Sequence, residues 1–286
     1  MLTLGINSKP KLSQETFCQI RDIIYAKCGI FFADTKKYLL ETRLARRIDE
    51  KNLKSFEDYY YYLTYDKDKD REMVNVLNSI VTNETSFFRD MPQLEAFQKG
   101  VVPKVLDEKT QKGGNKLLKL WSAASSTGEE PYTLAMMLME DGLQTRGWTL
   151  EVLGTDISDT VLRSANAATY EKYSLRNTPE QYLKKYFVGN GDTFTVHKKV
   201  QEVVKYKKLN LVDSLETRMI KGMDIIFCRN VLIYFDDASK KKAVSHLYDS
   251  LNKGGYLFVG FSETLHNITR LFRPVSIERL VVYQKV

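Results

Sequence analysis

The sequence predicts an α/β protein, with an all-helical domain over residues 1–82 followed by a mainly parallel sheet covered by helices on both faces. Three observations carry that expectation. The first 80 residues place apolar side chains at helical spacing. From about residue 115, short apolar runs alternate with helical patterns, as βαβ units require. Between residues 186 and 206, alternating segments flank Gly189-Asn190-Gly191 and read as a small antiparallel β insertion. A chain of 286 residues suits one large or two modest domains and buries a core that needs no disulfide framework.

The first helix is expected over 13–28, opened by Ser13, with Phe17, Ile20 and Ile24 as its stripe and Gly29 as its stop. A second, over about 35–51, buries Leu40, Leu44 and Ile48, while Arg43, Arg46 and Arg47 project elsewhere as a basic flank. Ser55 and Asp58 make a start resembling a capping box for a third, whose tyrosines 59–62 read as packing. A fourth follows Val74, Leu77 and Val81. Residues 83–114 are expected to form a linker and a first helix at the domain junction. In the second domain, 115–286, strands are expected at 117–124, 150–156, 223–228 and 279–284, and at 256–261 behind Gly254-Gly255. Helices are expected at 131–139, with Pro131 near the first turn, and from about Ser158.

Composition narrows the function classes. Cys18, Cys28 and Cys228 show no zinc-site spacing and are too few for a secreted disulfide scaffold, which favours a reducing, cytoplasmic setting. No apolar run approaches the ~18 residues of a membrane-spanning helix, and the first residues lack the pattern of a secretory signal. The net charge is +7, and residues 163–208 alone hold 10 basic against 4 acidic side chains. Such a field attracts acidic partners, although a merely solvated face has the same composition.

Chemistry concentrates in four segments, most of them at expected strand ends, where open α/β sheets bind ligands. SSTGEEPY (125–132) has one glycine and two adjacent acids, which would repel a pyrophosphate and suit a ligand with an α-amino group. One of Glu129 and Glu130 is expected to cap the following helix. Asp156, ending the second strand, stands where an acid accepts from ribose hydroxyls. Together these acids fit a ligand with a ribose and no polyphosphate, as in S-adenosylmethionine. CRNVLIYF (228–235) brings Arg229, Asn230 and Tyr234 out at a strand end, with Cys228 read as core. TNETSFFRD (82–90) is dense in polar and aromatic residues where the two domains are expected to meet.

The chain resembles the chemotaxis receptor methyltransferase family, CheR, in TNETSFFRD (82–90), WSAASSTGEEPYTLAM (121–136), GTDIS (154–158), LNL (209–211), FCRNVLIYF (227–235) and GGYLFVGFSE (254–263). Ala124 and Ser125 depart from the Gly or Cys often found there, a small-for-small change. The resemblance implies a Rossmann-like domain that uses S-adenosylmethionine, releases S-adenosylhomocysteine and needs no metal. It implies that Asn83, Thr85 and Arg89 contact the cofactor and that Glu129 or Glu130, the latter preferred, holds its methionine part. Asp156 matches the ribose acid, Asn210 and Leu211 the contacts around adenine, and Arg229 and Asn230 the strand-end pair. Tyr234 matches a hydroxyl next to the transferring methyl, and Arg43, Arg46 and Arg47 resemble the element that recognises acidic methylation helices of chemoreceptors. Because the turn near Gly191 is short, independence of a C-terminal receptor pentapeptide is expected.

Methyl transfer to a glutamate carboxylate needs no general base, since the nucleophile is already ionised. That accords with His197, His246 and His266 lying outside the four segments. Alignment is then the protein's main contribution, with Arg89, Tyr234 and Arg229 as the residues expected to steer the carboxylate. Two rivals compete. A nucleic-acid methyltransferase would welcome the positive charge, but Arg229-Asn230-Val231-Leu232 stands where amino-directed members carry Asn/Asp-Pro-Pro-aromatic, and Cys228 follows Phe227 rather than a proline. A catalytically silent binding module is the other.

Overall fold

The computed structural model describes residues 10–81 and 83–286; residues 1–9, which the signal-peptide argument used, and Thr82 lie outside it. The chain divides into two compact units, one within residues 1–82 and one over 83–286.

The first unit holds α1 (Gln14–Cys28), α2 (Lys37–Glu50), α3 (Phe56–Tyr65) and α4 (Lys69–Ile80). Its ends follow local chemistry. The Ser13 hydroxyl accepts from the Thr16 N–H and Gly29, at φ 74°, ends α1. Ser55 accepts from the Asp58 N–H at the start of α3. Leu40, Leu44 and Ile48 are buried along α2 as their spacing predicts. On α4 the buried face is Met73, Val76, Leu77 and Ile80 together with Glu72, so of the expected stripe Leu77 is buried while Val74 and Val81 give way to their neighbours Met73 and Ile80. Glu72 is the cause. Wholly buried, it accepts from Arg47 Nε and Nη2 (2.8 Å each), the Tyr59 hydroxyl (2.8 Å) and Asn75 (3.1 Å). Burial alone would raise its pKa, but these donors overcome that cost and hold the carboxyl at about 2.

The second unit is built on ten strands: β1 (Leu117–Ala123), β2 (Thr149–Asp156), β3 (Thr169–Glu171), β4 (Phe187–Asn190), β5 (Thr193–Val196), β6 (Val204–Lys208), β7 (Met223–Cys228), β8 (Leu251–Val259), β9 (Phe272–Ile277) and β10 (Leu280–Lys285). Seven form one sheet in the order β6-β2-β1-β7-β8-β10-β9, parallel from β6 to β8 and antiparallel at β10 and β9. The expected class, helical domain plus mainly parallel sheet, is the one found. A second, antiparallel sheet has the order β3-β5-β4.

Three details differ from expectation. Val204–Lys208 lies parallel to β2 in the large sheet, so the insertion loses that strand and gains Thr169–Glu171. The 256–261 strand begins earlier, at Leu251, because Gly254 (φ 83°) and Gly255 make a bulge rather than a boundary. A Cβ at Gly255 would lie 2.9 Å from the Asp224 carbonyl oxygen. Finally, residues 83–114 are no linker within this unit. Phe87, Phe88 and Phe97 are fully buried in its core, and α5 (Met91–Glu95) and α6 (Val102–Gln111) are joined by a π-helical turn at Ala96–Val101.

Candidate active site

In the large sheet β1 lies between β2 and β7, so the chain leaves β1 towards one edge and returns to its other side at β7. The loops after these two strands therefore diverge, and they open a crevice at their carboxyl ends. Five of the nine non-glycine residues with left-handed backbone among the described residues border it: Phe88, Asp90, Ala124, Ser126 and Asn230. Strain concentrated in this way marks a site whose loop shapes are imposed by their surroundings.

After β1 the chain turns through Ala124 (φ 60°), Ser126 (φ 50°) and Gly128 (φ 95°) into α7 (Glu129–Glu140). Only glycine suits position 128, since a Cβ would come 2.5 Å from the Tyr206 hydroxyl and 2.8 Å from Ala165 Cβ. The two glutamates then part company. Glu129 is buried and accepts from Thr127 Oγ1 (2.7 Å) and Ser174 Oγ (3.2 Å), and burial pushes its carboxyl above the ordinary value. Glu130 faces the crevice, accepting from Ser122 Oγ at 2.7 Å and pairing with Arg229 Nη1 at 3.1 Å.

Arg229 is 7% exposed and ties three elements together. Besides Glu130, its Nη2 donates to the Arg89 carbonyl (3.1 Å) and to Asp90 Oδ2. Expected to steer an incoming carboxylate, it is instead committed to two acids and a carbonyl, and so it positions Glu130. Its Nε has no partner, nor has the buried Ser125 hydroxyl; these are two of the four unpartnered buried side-chain polar atoms among the described residues.

Asp156, at the end of β2, accepts from the Ser126 N–H through Oδ2 and from the Ser158 N–H through Oδ1, each at 3.0 Å. Burial raises its pKa as well. It therefore fastens the β1 and β2 loops to each other, while its oxygens keep lone pairs for a ligand. The Leu209 N–H donates to the Asp156 carbonyl (2.9 Å), which brings Asn210 and Leu211 to the same strand end. Asn210 Oδ1 accepts from the Val212 N–H (3.2 Å), and the buried Leu211 gives its carbonyl to His246 Nδ1 (2.8 Å). On the other side, Ser126 Oγ donates to the Asn83 carbonyl (3.3 Å), the Phe88 N–H to Thr133 Oγ1 (3.2 Å) and Arg89 Nη1 to the Glu84 carbonyl (2.9 Å). Thr85 is half-buried in this docked segment.

Asn230 (φ 59°) and the half-buried Tyr234 lie on one loop, which a residue not singled out from sequence holds in place. Glu263 accepts from three backbone N–H groups, those of Asn230 (2.8 Å), Ile233 (3.2 Å) and Gly260 (2.7 Å). Asp90 is a second such residue. Both end conspicuous segments, GGYLFVGFSE and TNETSFFRD, but nothing in their spacing reveals their partners.

The basic flank of α2 belongs to the first unit. Arg47 is saturated by Glu72 and Glu50, Arg43 donates to the Ile80 carbonyl, and Arg46, 85% exposed at its side chain, pairs with Glu50 at 2.7 Å. The three do not form a free cationic surface; Arg46 alone stands well into solvent.

An acid facing the crevice, a second acid at the next strand end and an orphaned hydroxyl are acceptors and donors for an ammonium group and ribose hydroxyls, so these residues fit S-adenosylmethionine. Among the described residues there is no cluster of three or more His, Cys, Asp or Glu able to hold a metal, and no helix is long and apolar enough to cross a membrane.

Comparison with known proteins identifies the family. Residues 15–81 match the family model described as CheR methyltransferase, all-alpha domain, and residues 83–281 the one described as CheR methyltransferase, SAM binding domain. Chemotaxis protein methyltransferase 2 of Vibrio cholerae serotype O1 is 34% identical over 275 residues, covering 96% of this chain and 94% of that relative. The chemotaxis protein methyltransferase of Borreliella burgdorferi is 34% identical over 262 residues, 91% of each chain. That of Listeria monocytogenes serovar 1/2a is 33% identical over 246 residues, 86% of this chain and 88% of its own. The chain thus belongs to the CheR methyltransferase family, an S-adenosylmethionine-dependent methyltransferase with an all-helical domain ahead of its cofactor-binding domain.

Proposed function

We propose that the protein methylates glutamate side-chain carboxylates of methyl-accepting chemotaxis receptors in the cytoplasm, forming glutamyl methyl esters. The observation that carries this reading is the pair of acids at the strand ends, Glu130 held by Ser122 and Arg229 and Asp156 held by the Ser126 and Ser158 N–H groups, which suit a cationic, ribose-bearing methyl donor. When bound, the cofactor supplies a methyl group on a positively charged sulfur. Glu130 would receive its amino group, Asp156 the ribose hydroxyls, and Asn210 and Leu211 the adenine surroundings. Asn83, Thr85 and Asn230 would complete the cradle.

The nucleophile arrives as an anion, so the reaction annihilates charge and strong pinning of either ion would slow it. Orientation is what the protein contributes, a source of roughly 7–11 kcal/mol in favourable cases. Arg89 and Tyr234 are the groups assigned to orient the carboxylate, Tyr234 as a neutral donor. Arg46 is the exposed cation on α2 best suited to acidic receptor helices. Only Gly191-Asp192 separates β4 from β5, a turn that supports action without a receptor pentapeptide.

Incubation with methyl-labelled S-adenosylmethionine and receptor membranes tests the reading. Base-labile label on the receptor is the expected result. Base-stable label on nucleic acid, or no label at all, would overturn it.

A further inference from the structure

The second unit carries a cleft of about 760 Å³ that the chemistry above leaves unused. Its walls are Gly260 and Phe261 at the end of β8, the following loop as far as Arg270, and Arg279 and Val281 around the β9–β10 turn. That turn is Glu278-Arg279, both left-handed (φ 48° and 65°) although neither is glycine or asparagine.

Charge in the cleft is one-sided. Arg270 and Arg279 are exposed and make no ion pair among the described residues, and His266 lines the same wall. The only carboxylate in the lining, Glu263, is already turned to the N–H groups of Asn230, Ile233 and Gly260. Apolar surface is available too, for Phe261 is 81% and Val281 59% exposed. A further group points to an occupant. Gln93, which lines the cleft and is over nine-tenths buried, donates its Nε2 to the Val259 carbonyl (2.8 Å) but leaves Oε1 without a partner among the described residues. A buried amide oxygen of this kind accepts from an N–H.

We propose that this cleft is a recognition subsite for the methyl-accepting protein, taking an acidic amphipathic segment next to the glutamate that is methylated. The proposal rests on the reading given under Proposed function. Arg270 and Arg279 meet the acidic positions, Phe261 and Val281 the apolar ones, and Gln93 an N–H of the segment. The location fits the task, because the carboxylate that forms one wall also fixes the loop bearing Tyr234. A polynucleotide is the poorer occupant, since its phosphates would face the acceptor oxygens of Gln93 and Glu263.

The test compares the full-length protein with R270E/R279E and, separately, Phe261→Ala, each first checked by thermal unfolding. Methyl transfer to receptor membranes is followed with S-adenosylmethionine affinity measured by calorimetry, and an acidic amphipathic peptide and an oligonucleotide of equal charge serve as competitors. The charge reversal is expected to raise KM for receptor about tenfold and abolish competition by the peptide, with cofactor affinity and saturating kcat within about twofold. Phe261→Ala raises KM in the same direction. An unchanged KM in both variants while esters still form overturns the subsite and leaves the enzyme reading standing. Failure of the unaltered protein to form base-labile esters overturns that reading instead. Stronger competition by the oligonucleotide than by the peptide also overturns the proposal.

Discussion

Two ion-paired arginines, one in each unit, show how differently the same ion can be used. Arg47 spends Nε and Nη2 on Glu72, and Glu72 in turn is saturated by Tyr59, Asn75 and Lys51. No donor or acceptor is left over for a ligand. Arg229 also meets two acids, but its Nε is orphaned, Glu130 and Asp90 remain partly accessible, and the residues around it have left-handed backbone. A closed network has nothing more to gain by binding; an open one does. The completeness of the hydrogen-bonding, more than burial or charge, separates the structural cluster from the functional one.

The sharpest way to break this comparison is to open the closed network. Glu72→Gln leaves Arg47 charged and poorly matched beside Tyr59, and unfolding of the helical unit, followed by denaturant titration with hydrogen exchange, should show a loss of about 3–5 kcal/mol. Replacing the pair together, as Arg47→Met with Glu72→Leu, should cost far less, because no buried charge is stranded. Receptor KM should be unchanged in this pair variant. A raised KM with the fold intact would restore Arg47 as a receptor contact.

The open cluster should respond in the opposite sense. Arg229→Met releases Glu130 and Asp90, which reach solvent, so stability should fall by only about 1–3 kcal/mol while S-adenosylmethionine affinity drops more than about tenfold. Glu263→Gln should cost the least of the three. It removes the charge from an acceptor of three backbone N–H groups, and a loss of about 1–2 kcal/mol should accompany a fall in kcat that exceeds any change in cofactor affinity. Equal stability losses for Glu72→Gln and Arg229→Met would dissolve the distinction.

What the sequence revealed follows the same division. Elements whose causes are local were legible: α1 with its Ser13 and Gly29 caps, the α2 stripe, and β1, β2 and β7 to within a residue. Elements whose causes are tertiary were not. The polar, proline-containing Phe272–Ile277 is an edge strand made by its pairing with β10, and Val204–Lys208 reads as an insertion until β2 is seen beside it. At the site, the residue types and segments were apparent because acids, arginine and tyrosine crowd the strand ends. Their partners were not, since Arg229 with Asp90 and Glu263 with Asn230 are joined across 139 and 33 positions. A wholly buried glutamate on α4 contradicts every local expectation for that residue type.

Titration gives a smaller contrast, of opposite sign, between Glu72 and the two site acids Glu129 and Asp156, although Glu140 on α7 is lowered like Glu72. Glu72, held at about 2, contributes stability that is complete above the ordinary carboxylate range and is lost as pH falls towards 2. Glu129 and Asp156 have raised pKa values, so their contribution is present below the ordinary range and is lost as pH rises through the raised values. On acidification the helical unit should therefore lose exchange protection before the sheet unit does. The reverse order in pH-dependent hydrogen exchange would mean that other groups dominate.

The smallest expected change in stability belongs to Tyr234→Phe. Tyr234 is half-buried and its hydroxyl has no hydrogen-bond partner among the described residues, so folding should not register its loss. If that hydroxyl orients the receptor carboxylate, turnover should fall by about tenfold at saturating substrate while S-adenosylmethionine affinity stays within twofold. That pattern belongs to an interaction made on the way to the transition state. Equal losses of turnover and cofactor affinity would place the hydroxyl in the binding cradle, beside Asn230, and leave Arg89 as the sole orienting group.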